Sequence, residues 1–65
     1  MKSLSSRDLL RLLKAAGWFE VAQMGSHLHL KHPRTAGKIT IPHPKKDLSR
    51  LVIKDIERKT GLRLR

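Results

Sequence analysis

Residues 18–33 read Trp18-Phe19-Glu20-Val21-Ala22-Gln23-Met24-Gly25-Ser26-His27-Leu28-His29-Leu30-Lys31-His32-Pro33, and their periodicity decides the fold. From His27 to Lys31, apolar and cationic-capable side chains alternate strictly, the pattern of a strand with one buried face. Leu28 and Leu30 are therefore expected in the core. His27, His29 and Lys31 share the opposite face, which is expected to stay wet and to hold the histidines. Gly25-Ser26 fits the Gly-X pair of a two-residue type II′ hairpin, in which glycine takes the positive φ that other residues resist. The preceding run is then the partner strand, with Phe19, Val21 and Gln23 on one side and Trp18, Glu20, Ala22 and Met24 on the other. Its two aromatics are assigned to the core, since base-stacking platforms usually place aromatics in mid-strand.

Working outward, Pro33 ends the second strand, residues 34–37 form a polar loop, and residues 38–41 make a third short strand closed by Pro42 and Pro44. Upstream, Ser5-Ser6-Arg7-Asp8 offers a capping hydroxyl with a carboxylate three residues on. Leu9, Leu10, Leu12, Leu13 and Ala16 then recur with helical spacing before Gly17. Arg7, Arg11 and Lys14 fall on the polar face of this helix, where solvation is the simplest reading. Downstream, Ser49 caps a second helix with Val52, Ile53, Ile56 and Thr60 on one side and Gly61 at its end. Leu62 and Leu64 follow as a short tail, and Arg63 and Arg65 read as its frayed end. The sequence thus specifies an α+β domain of order α-β-β-β-α, a three-stranded antiparallel sheet with two helices on one face.

The chain has 65 residues and no cysteine, so a single domain over residues 1–65 is expected, with no disulfide or thiolate metal site. No apolar run approaches the roughly 18 residues that span a membrane, and residues 1–13 lack the core of a signal peptide, so a soluble cytoplasmic protein is expected. The net charge is +10, from 15 basic and 5 acidic residues. It is unevenly spread. Residues 21–46 contain no carboxylate, yet they hold five Lys or Arg and all four histidines. Such a segment suits a polyanion.

RNA carries its own nucleophile, the 2′-hydroxyl, so its cleavage needs only a base, an acid for the leaving 5′-oxygen and cations for the phosphate. Imidazole populates both protonation forms near neutral pH and suits the first two tasks. His27, beside the glycine turn, is the catalytic candidate and His29 its assistant. Gly25, Ser26 and Lys31 are the adjoining contacts, and Lys45 and Lys46 offer either an RNA rail or an ordinary solvated linker. The spacing His27-x-His29, with His32 and His43 near, could also chelate a metal. The neighbouring Lys31 and the lack of carboxylates disfavour a divalent ion, so no cofactor is expected. Binding of duplex RNA without cleavage is a further reading that needs no special histidine. A DNA-recognition role for the second helix is opposed by Asp55 and Glu57 among its outward residues.

The residues as a set resemble the HicA (YcfA-like) toxin family of bacterial toxin-antitoxin systems. The resemblance rests on Ser-x-x-Asp-Leu-x-x-Leu-Leu-x-x-x-Gly-Trp from Ser5 to Trp18, then Gly25-Ser26-His27, Lys31-His32-Pro33, Thr40-Ile41-Pro42 and the closing Gly61-Leu62. It implies a double-stranded-RNA-binding-like fold, a ribonuclease acting on messenger RNA through a single histidine at His27, and a HicB-like antitoxin that blocks that site. Leu28 stands where many relatives have a second histidine, and residues 48–52 lack a Pro-Gly often found there.

Overall fold

In a computed structural model that describes residues 4–64, the chain forms α1 (Ser6–Ala15), β1 (Phe19–Met24), β2 (His27–His32), β3 (Thr35–Pro42) and α2 (Arg50–Thr60). The three strands pair antiparallel in the order β1-β2-β3. Both helices begin as the sequence predicts. The Ser5 hydroxyl accepts from the amide of Asp8 at 3.1 Å and the Ser49 hydroxyl from that of Val52 at 3.2 Å, each satisfying a donor that the first helical turn leaves free. Gly17 and Gly61 follow α1 and α2 in left-handed conformations, at φ +101° and +76°.

One face of the sheet carries the core. Leu28 and Leu30 of β2 and Ile39 and Ile41 of β3 are buried against Leu9 and Leu13 of α1 and Ile53 and Ile56 of α2, with Trp18 and Leu48 at the margins. Leu64 also packs there, and its amide donates to Oε2 of Glu57 at 2.7 Å. The C-terminal segment is therefore docked through Leu64 rather than frayed. Arg63 is exposed, and Arg65 lies outside the described residues. No described helix is long and apolar enough to cross a membrane.

Three further expectations are corrected. The polar loop at residues 34–37 is shorter than predicted: the turn is Pro33-Arg34, and β3 already begins at Thr35. The register explains it. His32 opposes Thr35 while Lys31 opposes Lys38, so Ala36 and Gly37 are bulged out, and Gly37 supplies the φ of +82° that this detour uses.

The alternation of β1 is also broken. Glu20 opposes Leu30 while Ala22 opposes His29, leaving Val21 as the extra residue of a bulge. Phe19 therefore joins Ala22 and Met24 on the solvated face and is 47% exposed, whereas Trp18 is the buried aromatic. Glu20 leans towards the helical side and meets Nζ of Lys14 at 2.6 Å.

Third, the solvated face does not hold every histidine. His32 shares the parity of Leu28 and Leu30, and His43 lies beyond the end of β3 beside α1.

Candidate nucleic-acid interface

The register arranges the solvated face in three transverse rows. Met24, His27 and Pro42 share the first, Ala22, His29 and Thr40 the second, and Phe19, Lys31 and Lys38 the third. Directly opposed residues of an antiparallel pair project to the same side, and rows two residues apart are separated by about 7 Å. His27 and Lys31 thus share a face, as the alternation predicts, at about 13 Å along the strand. His27 and Lys31 stand in one line with His29 between them.

The turn that presents His27 is fixed from two directions. Gly25 has φ +61° and no described non-glycine residue has a positive φ, so Ser26 has a negative φ and the turn fits the type II′ form, in which the first residue alone needs glycine's freedom. The amide of His43 donates to the carbonyl of Ser26 at 2.8 Å, extending the β2–β3 ladder past the pairing of His27 with Pro42. Nε2 of Gln23 donates to the carbonyls of Gly25 at 3.3 Å and His43 at 3.2 Å, tying turn and linker together. His27 itself is exposed, and its ring makes no hydrogen bond to another described residue.

The other three histidines are all engaged. Nδ1 of His29 is 2.8 Å from Oγ1 of Thr40, its neighbour across the strands. His32 accepts at Nδ1 from the amide of Arg34 at 3.0 Å, so Nε2 carries the proton that it donates to the Ala16 carbonyl at 3.0 Å. That bond satisfies an end carbonyl of α1, and the ring meets Trp18 edge-on at 5.3 Å. His43 contacts the Ser6 hydroxyl through Nδ1 at 2.8 Å. The same hydroxyl accepts from the Lys45 amide at 2.9 Å, and the Ser6 amide donates to the Lys45 carbonyl at 2.8 Å. Ser6, which is buried, is thereby the clamp between α1 and the linker.

The clamp places Lys45 and Lys46 on an open groove at the start of α1, shared with Ser6, Arg7, His43 and Pro44. The linker backbone is ordered by these bonds while both lysine side chains remain exposed. Lys31 and Lys38 oppose each other directly across β2 and β3, and both are exposed. The ion pairs of Lys14 with Glu20 and of Arg58 and Lys59 with Asp55 involve neither lysine. Like charges directly opposed destabilise a sheet, a cost that a bound anion removes. Among the described residues no three His, Cys, Asp or Glu side chains gather where they could hold a metal ion. Residues 21–46, which include His27 and His29, contain no cysteine or carboxylate, the anionic donors a divalent ion favours.

Sequence reasoning missed Gln23, Ser6 and Lys38 at this surface. Gln23 and Ser6 act through contacts between segments 20 and 39 residues apart, which no local pattern encodes. Lys38 could have been found from its pairing with Lys31 had the length of the β2–β3 turn been read correctly.

A family model described as the HicA toxin of bacterial toxin-antitoxin systems matches residues 6–62. Among solved structures, the chain is similar to a chain of the HicA3 and HicB3 toxin-antitoxin complex. The TM-score is 0.85 and the identity 29%, covering 95% of this chain and 100% of that one. A comparison with curated proteins gives no match.

Proposed function

Since the chain belongs to the HicA family of toxins of bacterial toxin-antitoxin systems, we propose that it is a metal-independent endoribonuclease that cleaves messenger RNA in the cytoplasm through His27. The observation that carries this reading is that, among the described residues, His27 alone of the four histidines has a ring without a hydrogen-bond partner, on a turn held by Gln23 and His43. A ring already engaged in holding the fold is poorly placed to exchange protons with a substrate; an exposed one on a fixed turn is well placed.

In the proposed reaction the 2′-hydroxyl attacks the adjacent phosphorus as the bond to the 5′-oxygen breaks. The ends produced are a 2′,3′-cyclic phosphate and a 5′-hydroxyl. His27 is general acid or base: it takes the 2′-hydroxyl proton or gives one to the departing 5′-oxygen, and water serves the other transfer. Gly25 fixes the turn, and Ser26 offers polar contact. Lys31 holds the backbone further along β2, Lys45 and Lys46 hold it beside the turn, and His29, steadied by Thr40, assists. A HicB-like antitoxin restrains the activity by covering this face, as an acidic or shape-matched partner can for so basic a protein.

The test is a labelled messenger RNA and its DNA equivalent incubated with wild type and His27→Gln. Loss of RNA cleavage in a folded variant, with DNA untouched, supports the reading. Binding that weakens without any cleavage by either protein would instead make the chain a non-catalytic RNA-binding module. Activity unchanged by a chelator is also expected, and its loss would restore the metal reading.

A further inference from the structure

The solvated face has two chemically distinct halves, and only one of them suits RNA. On β2 and β3 it presents His27, His29, Lys31 and Lys38; on β1 it presents Phe19, Ala22 and Met24, with Val21 at the bulge beside them. Phe19, Val21 and Met24 are 47%, 45% and 69% exposed. β1 is also an edge of the sheet, with no strand on its outer side among the described residues.

We propose that this apolar edge strip is the antitoxin's anchor, a surface that gives affinity for an acidic protein partner and that RNA does not use. The inference rests on the toxin reading above. Aliphatic side chains such as Val21 and Met24 gain little from a phosphodiester backbone, whereas a protein surface buries them and can add backbone pairing at the free edge. The partner's charge follows from what adjoins the strip. Residues 21–46 contain no carboxylate, so a protein lying across β1 and β2 meets His27, His29 and Lys31 and must bring the opposite charge. A second copy of this chain would instead set one basic row against another in molecules of net charge +10. The anchor stands in the same transverse row as His27 at Met24, so a protein seated on the strip also covers the candidate catalytic ring.

The experiment compares wild type, Met24→Ser and the Phe19→Ser/Met24→Ser double variant. Thermal unfolding checks the fold. Calorimetry with a purified HicB-like antitoxin gives affinity, a labelled RNA gives cleavage, and sedimentation gives self-association. Antitoxin affinity is expected to fall at least about tenfold in the double variant, with RNA cleavage within about twofold of wild type. Unchanged antitoxin affinity overturns the proposal. So does a fall in RNA binding with antitoxin affinity intact, which would make Phe19 a base-stacking residue, or a wild-type dimer that the substitutions dissociate. If wild type cleaves no RNA, the ribonuclease reading fails on its own, and the affinity comparison still decides the anchor.

Discussion

Gly17 is held by two constraints at once. Its φ is +101°, and a Cβ there would stand 2.8 Å from Nε2 of His32, the nitrogen that donates to Ala16. Gly17→Ala should therefore combine the left-handed penalty of about 1–2 kcal/mol with displacement of His32. Urea unfolding should show a destabilisation larger than that penalty alone, and a variant as stable as wild type would contradict the close approach. Ser6 gives a parallel case. Ser6→Ala leaves the Lys45 amide without its acceptor and should cost about 1–3 kcal/mol in the same measurement. The sequence identifies Gly17 as a helix stop from its position after an amphipathic run. It does not identify His32 as the ring packed against it, because alternation assigns a face and not a partner from a distant part of the chain.

Among the elements, the regular ones are legible and the bulged ones are not. The capping serines and terminal glycines locate both helices, and the Leu28-x-Leu30 alternation locates the buried face of β2, because hydrogen-bonding need and side-chain period are local properties. Phe19 is assigned wrongly because one inserted residue, Val21, reverses the parity of everything before it. The start of β3 is missed because Ala36 and Gly37 have loop composition and are in fact bulged out of the strand. Of the candidate site, the common face of His27, His29 and Lys31 is readable; the tie from Gln23 to the turn is not. Gln23→Ala should lower kcat for RNA cleavage several-fold with little change in melting temperature, since it frees the turn without opening the core. On α2, Asp55 is held below its ordinary pKa by hydrogen bonds from Arg58 and then Lys59. Because the folded value is depressed, its contribution to stability is present above pH 3.8 and is lost as the pH falls through the lowered value. Wild type should therefore lose stability relative to Asp55→Asn on acidification from about pH 4 to about pH 2.

At the scale of the whole molecule, a charge of +10 is arranged so that the helices pair some of their cations internally while the solvated sheet face and linker leave theirs exposed. RNA binding should consequently weaken steeply with salt. Lys31→Gln/Lys38→Gln should reduce the slope of log affinity against log salt by about 1.4, at roughly 0.7 for each phosphate of a single strand that is no longer neutralised. That weakening is expected for any RNA sequence, because the contacts proposed for these lysines are to phosphate and not to base edges. The +10 charge was legible from composition, but it identified only a polyanion. His27 was singled out by its place beside the glycine turn and by the family resemblance, and the structure adds that its ring has no hydrogen-bond partner among the described residues. The most direct test of that choice is single-turnover cleavage of a labelled messenger RNA by wild type and by His27→Gln, with both shown to be folded. Wild type should yield a 2′,3′-cyclic phosphate product, and the variant should react about 10² to 10⁴-fold more slowly; equal rates of cleavage would contradict a catalytic His27.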